Sequence, residues 1–388
     1  MECHSEFVEA LGNNALSYRT VVRWVGKFQQ GRVSTSDKQR SGRPLIVRTD
    51  LARAAVKALK GIYGNLYSEK NVCISSTHTH AGPGGFLQYA LYIVTSQGFI
   101  RQTFDSIIEG IVKSVKMAHQ NMQPGYIFWN EGDLFNASIN RSPTSYLNNP
   151  PEERENYKTN VDTNMLLLKF TDLNRKPIGM INWFAVHCTS MNNTNKLISS
   201  DNKGYASVLF EQKMNGKVPI GKGPFVAAFA QANEGDVSPN TKGARCIDTG
   251  LPCDVNTSTC NGQNEKCIAF GPGKDMFEST EIIARKQFEK AVELFESANS
   301  PISGPIGFAH QFIDMSNQTV RLNKTANATT CKPAMGYSFA AGTTDGPGGF
   351  DFKQVGFFIQ KCLFVLVSIY QIIRFALLMK MFYSPSYL

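Results

Sequence analysis

Only six histidines and three tryptophans occur in the 388 residues, and no two of the nine cysteines form a C-x-x-C pair. The missing pair weighs against a zinc site made of four thiolates. No internal repeat is visible, so a solenoid or propeller built from copies of one unit is not expected. The opening residues MECHSEFVEALGNNALSYRT lack a basic segment followed by an apolar one, and so do not read as a signal peptide. Near the other end, the longest uncharged apolar run, Cys362 to Ile373, falls short of the roughly 20 residues that span a bilayer.

What is present fits a globular protein with a real core: 42% hydrophobic residues against 18% charged. The formal net charge is +9. Such a balance suits an anionic partner, nucleic acid or a membrane surface. The preferred reading is that one basic segment distorts the total, since residues 18–53 hold many Arg and Lys and few acids.

Cys246, Cys253, Cys260 and Cys267 stand evenly spaced in a Gly/Asn/Thr-rich stretch with neither helical nor strand pattern. That reads as a disulfide-stapled loop in preference to a metal site. Seven N-x-S/T sequons, at Asn136, Asn140, Asn192, Asn256, Asn317, Asn323 and Asn327, agree with an oxidising, secreted or lumenal route. The body of the chain reads as secretory and its front end does not, which is the mark of a composite chain.

Three segments differ in character. Residues 1–46 are basic: Val21, Val22, Trp24, Val25 and Phe28 recur at near-helical spacing, between Ser17 as N-cap and Gly31 as stop. The following RVSTSDKQRSGRP reads as a basic linker. Residues 51–354 read as one α/β body, a mixed layered sheet with flanking helices. Helices are expected from Leu51 to about Ile62, Phe99 to Ala118 and Asp275 to Glu296, the second with Phe104, Ile107, Ile108, Ile111, Val112 and Val115 on one stripe. Strands are expected at 71–74, 165–170, 179–186 and 225–230, with a turn at 172–176. Residues 355–388 form a divergent hydrophobic tail interrupted by Lys361 and Arg374, which reads either as read-through sequence or as an anchor whose charges snorkel.

The sharpest chemical signal is Thr77-His78-Thr79-His80-Ala81-Gly82-Pro83-Gly84-Gly85. If it follows a strand at 71–74, residues two apart face one side, so His78 and His80 can converge. Imidazoles suit zinc, and a second histidine can move a proton. His187, in INWFAVHCTSMNNTN, stands at the end of another apolar strand, where α/β folds place ligands. His4, His119 and His310 read as surface or helix histidines. Ser238 lies in QANEGDVSPN, directly after the strand at 225–230, with Glu234 and Asp236 nearby. It reads as an ordinary capped turn, or as a nucleophile or oxyanion contact. Arg141, in NASINRSP, is the type of residue that positions a carbonyl or hydroxyl.

THTHAGPGG, INRSPTSYLNNP, INWFAVHCTSMNNTN with SSDNKGYAS, QANEGDVSPN, the four-cysteine loop, GPGKDMF and KPAMGYSFAAGTTDGPGGF occur in this order. Together they resemble the neutral ceramidase family over about 300 residues. The resemblance implies a zinc amidase that cleaves the N-acyl bond of ceramide to sphingosine and a fatty acid, at a membrane lipid surface. It implies His78 and His187 as Zn2+ ligands, His80 as proton shuttle, Arg141 as a substrate-positioning residue and Ser238 as nucleophile or orienting group. It also implies the crossed disulfides Cys246–Cys260 and Cys253–Cys267. In the family a Glu and a Tyr from a later part of the domain complete the zinc site. Those motifs are not found before the hydrophobic tail, nor is the family's immunoglobulin-like domain, and Cys331 lacks its family partner. A partial domain is therefore expected.

The first 46 residues are similar to something else, the N-terminal helix-turn-helix of mariner-type transposases, a short all-α leader. The Ser-x-x-Thr-Val-x-x-Trp helix would be its recognition helix. No acidic transposase core follows, and nucleic-acid binding is not the expected function. The alternatives to a ceramidase are an inactive lipid-binding remnant, DNA binding through this leader, and a mis-joined gene.

Overall fold

The computed structural model describes residues 50–88, 96, 98–309, 313–331 and 342–347. The leader helix, the basic linker, His4, His310 and the hydrophobic tail lie outside the described residues. The described residues divide into two compact units, one of those up to Ile62 and within Gly84–Val112, the other of those within Tyr63–Pro83 and Lys113–Val355.

Two amphipathic helices contribute to the first unit. Helix α1 spans Asp50–Tyr63 and helix α2 spans Arg101–Gln120, within two residues of the expected bounds. Ala55, Val56 and Leu59 of α1 and Phe104 of α2 are buried. Ahead of α2 the chain turns at Gly85, whose φ of +84° is in the left-handed region. There the Gly85 carbonyl accepts the Ile100 N–H at 2.8 Å.

The second unit is built on a five-stranded mixed sheet. Its strands are β1 (Gly125–Asp133), β3 (Asn164–Asp172), β4 (Pro177–Phe184), β5 (Val226–Gln231) and the short β9 (Ser300–Pro301), and the two-residue β2 (Ile139–Asn140) lies apart from it. The order is β5-β4-β3-β1-β9, with β4 and β5 parallel and the other neighbours antiparallel. The β3–β4 hairpin turns at residues 172–176. There Asp172 Oδ1 accepts the N–H groups of Asn174 and Lys176, and Arg175 takes a φ of 64°.

A parallel pair needs a crossover, and helix α3 (Asp201–Asn215) supplies it between β4 and β5. Helix α4 (Met276–Ser297) is N-capped by Asp275, which accepts the Glu278 N–H at 2.8 Å. Glu278 reaches back to the Lys274 N–H, so two otherwise orphaned donors are satisfied at once. Alternate residues of the strands, Met165, Leu167, Met180, Phe184, Ala227 and Phe229, join Ala206 and Phe210 of α3 and Ile283 and Leu294 of α4 in one buried core. Phe210 stacks on Phe225 at 5.7 Å and meets Phe295 edge-on at 5.3 Å.

The expected α/β class holds. The strand expected at 71–74 does not form: residues 72–78 are irregular, Ile74 is exposed, and only Thr79 pairs, in an isolated parallel bridge with Cys188. Strand β1 and helix α3 were not expected from the pattern. The sequence GYIFWNEGD has no clean alternation, and the first turn of α3 buries Asp201, Asn202 and Lys203 instead of an apolar stripe. No helix among the described residues is long and apolar enough to cross a membrane.

Candidate metal centre

The polar first turn of α3 explains where His187 stands. Asp201, at a φ of 54°, accepts backbone N–H groups from Ser190, Met191 and Asn202. Asn202 Nδ2 donates to the His187 carbonyl at 3.0 Å, and Gln287 of α4 donates to Asn202 Oδ1 at 3.0 Å. Lys203 Nζ donates to the Phe184 carbonyl at 2.8 Å. This network fixes the loop that leaves β4 at the carboxyl end of the parallel pair, the place where open α/β sheets bind ligands.

On that loop His187 is 2% exposed. Its backbone N–H and its ring Nδ1 both meet the Val237 carbonyl, at 3.0 and 3.1 Å. A carbonyl can only accept, so Nδ1 carries the proton and Nε2 is left with its lone pair. Burial, then the nearby Arg141 and His78, hold the imidazole down at a pKa of about 4, so it is neutral at neutral pH. A metal requires that neutral form.

His78 and His80 come to the same place from the irregular segment. The His80 N–H donates to the Cys188 carbonyl at 3.3 Å, and Thr79 Oγ1 donates to the Ser199 carbonyl at 2.7 Å. His78 has a φ of 61°, a conformation non-glycine residues adopt when their surroundings impose it. Its convergence with His80 thus comes from a kinked loop, correcting the expectation of two residues on one strand face. The ring centres lie 4.8 Å (His78–His80), 4.7 Å (His78–His187) and 6.0 Å (His80–His187) apart. Nitrogen atoms of the three rings lie within 4.8 Å of one another, close enough to hold one metal ion. Glu234 brings a carboxylate oxygen to 3.3 Å from His78 Nδ1. Burial first, then His78 and Arg141, lower the pKa of His80.

A second cluster adjoins through β6 (Val237–Ser238), which pairs with β2 so that Ile139 lies opposite Ser238 and the Arg141 N–H donates to the Asp236 carbonyl at 2.8 Å. The Arg141 guanidinium donates to the Gly235 carbonyl at 2.9 Å and stands 3.7 Å from Asp345. Ser238 is fully buried, and its hydroxyl donates to Asp345 Oδ1 at 2.5 Å. Asn240 backs both groups: its N–H donates to Ser238 Oγ and its Nδ2 to Asp345 Oδ1, each at 3.1 Å. Asp345 rides on a hairpin, Gly342–Pro347, whose Thr344 hydroxyl donates to the Arg141 carbonyl at 2.7 Å. Asp345 was not singled out from the sequence, although it is the one acid in the glycine-rich GTTDGPGG; Gln231 was not either.

The four-cysteine loop forms the disulfides Cys246–Cys260 and Cys253–Cys267, the crossed pairing. Cys188, next to His187, is a free thiol pushed up to about 12 by burial, so it stays protonated and offers a metal no thiolate. Cys331 is also free. His119 lies on α2 and is partly buried, accepting or donating at 2.9 Å with the Tyr67 hydroxyl.

Residues 44–371 match the family described as neutral/alkaline non-lysosomal ceramidase, N-terminal. The chain belongs to this ceramidase family. It is 57% identical over 305 residues to neutral ceramidase B of Dictyostelium discoideum, covering 77% of this chain and 42% of that one. It is 48% identical over 357 residues to neutral ceramidase 2 of Arabidopsis thaliana, covering 77% and 47%. Among solved structures, the crystal structure of neutral ceramidase from Pseudomonas aeruginosa shares a TM-score of 0.60 at 36% identity, covering 74% of this chain and 41% of that one. A ceramidase complexed with C2 shares a TM-score of 0.63 at 38% identity, covering 77% and 42%. This ceramidase-family chain spans less than half the length of these relatives. Residues 1–32 match a second family, described as the HTH domain in Mos1 transposase.

Proposed function

We propose that the chain carries the histidine-built zinc site of an amidase that hydrolyses the N-acyl bond of ceramide, giving sphingosine and a fatty acid. The observation that carries the reading is the convergence of His78, His80 and His187 at the end of the parallel strand pair, in a member of the ceramidase family. His78 and His187 are the ligands in this reading, and the donor set fits. His187 is held neutral with Nε2 free, and Glu234 adds negative charge beside His78. When bound, zinc supplies Lewis acidity toward the amide carbonyl. His80, uncharged at neutral pH, takes up and returns a proton. Arg141, anchored on Gly235, orients the polar end of the substrate. Ser238 acts as nucleophile or as an orienting group. In this state its hydroxyl proton points to Asp345, not to a histidine.

The test is zinc content together with hydrolysis of a fluorescent short-chain ceramide, on the purified chain and on His78→Ala and His187→Ala. One zinc per chain with turnover, both lost in the variants, is the expected result. A folded wild-type chain that takes up no zinc overturns the reading. Zinc and ceramide binding without turnover would leave the site and reduce the function to lipid binding.

The two disulfides and six exposed sequons support a secreted or lumenal location in this reading. Asn140 is the exception. It is buried, and its Nδ2 is committed to Asn160 O and Asp236 Oδ2, so it is no glycan acceptor.

A further inference from the structure

The segment bearing His78 and the loop bearing His187 share little backbone pairing. The Thr79–Cys188 bridge and the His80 N–H to Cys188 bond lie on the far side of His78 from Thr77. What ties the near side is one side chain, Gln231, the last residue of β5. Its Nε2 donates to the Thr77 carbonyl at 3.0 Å and to the Val186 carbonyl at 2.6 Å, while its Oε1 accepts the Val186 N–H at 3.2 Å. The Thr77 carbonyl belongs to the peptide group that leads into His78. The Val186 carbonyl belongs to the one that leads into His187.

We propose that Gln231 is a positioning residue for the metal centre, an amide clamp that sets the separation of His78 and His187. This rests on the reading that the histidine cluster holds zinc. The chemistry of the site selects glutamine. Two carbonyls must receive donors and one N–H an acceptor, from a side chain able to reach from the strand end. Glutamate offers no donor at neutral pH, methionine offers neither, and asparagine is one methylene short. The amide's orientation is also fixed, because the flipped form would face two carbonyls with its own oxygen. Zinc–imidazole bonds tolerate only a few tenths of an ångström. A clamp that loosens by that much is therefore read directly in affinity.

The experiment measures zinc affinity by chelator competition, and the visible spectrum of the Co2+ form, on the full chain and on Gln231→Met, Gln231→Glu and Ser207→Ala. Ser207 donates to the Ala227 carbonyl on the same strand, away from the histidines, and reports a merely structural loss. Gln231→Met and Gln231→Glu are expected to weaken zinc about 10- to 100-fold, as for other groups that orient ligands, with an altered Co2+ spectrum. Ser207→Ala is expected to leave both unchanged. Gln231→Glu keeps the shape and the acceptor, so it decides the matter if Gln231→Met does not fold. A folded Gln231 variant that binds zinc like wild type overturns the proposal, and so does an equal loss in Ser207→Ala. A wild-type chain that binds no zinc gives a different pattern and sinks the metal reading itself.

Discussion

Lys203 sits in the first turn of α3 at 1% exposure; among the described residues its Nζ is hydrogen-bonded to the Phe184 carbonyl and Gln287 Oε1 and forms no ion pair with a carboxylate. Burial lowers its pKa from 10.5 to about 8. That fall corresponds to roughly 3 kcal/mol by which the charged ammonium opposes folding at neutral pH. The folded pKa lies below the unfolded one, so between pH 8 and 10.5 the unfolded chain holds more protons. Stability from this group therefore rises with pH through that window. Between pH 7.5 and 10 the gain should be about 2 kcal/mol. Lys203→Met removes the titration. It also leaves Gln287 Oε1 without its donor, at about 1–3 kcal/mol, while the Phe184 carbonyl still accepts the Ala232 N–H at 3.3 Å, so its absolute stability at neutral pH should not fall. The informative quantity is the slope, measured by urea unfolding of thiol-blocked protein at the two pH values. Other groups titrate equally in both proteins, so the wild type should gain about 2 kcal/mol more than Lys203→Met. Equal slopes would refute the picture of a charged lysine held in the core.

Other expectations test separate parts of the structure. Replacing Cys246 and Cys260 by Ser frees a loop closed across 14 residues and should lower stability by about 3 kcal/mol on the loop-entropy account, read by urea unfolding without reductant. Asp275→Ala removes the cap of α4 and should lower the unfolding free energy by about 1 kcal/mol, with an unchanged fold by circular dichroism. Glycosidase treatment followed by peptide mapping of secreted material should find no glycan at Asn140; a glycan there would contradict its buried amide contacts.

The helices α1 and α4 and the β3–β4 hairpin were legible because each buries one face, and a buried face writes its period into the sequence; α2 shows the same period although, of its apolar stripe, Phe104 is buried and the others are half-buried. Helix α3 was not legible, because its buried first turn is Asp-Asn-Lys and the tertiary network, not an apolar stripe, keeps it in place. Strand β1 owes its existence to β3, against which all nine of its residues pair, more than to its own alternation. At the site the three histidines could be picked out by residue type and spacing, though the strand expected before His78 was wrong. Gln231 and Asp345 could not be picked out. A glutamine at a strand end and an aspartate in a glycine-rich turn are common, and only the fold shows that one meets Thr77 and the other Ser238.

The shared acceptor at Val237 has a consequence for mutagenesis. That carbonyl holds both the His187 N–H and its ring, and it belongs to the same peptide group as the Ser238 nitrogen. A change at Ser238 that shifts its backbone therefore turns the His187 imidazole with it. Loss of turnover in Ser238→Ala would not by itself distinguish a missing nucleophile from a misaligned histidine, and the two become separable only when each variant's metal occupancy is measured alongside its rate.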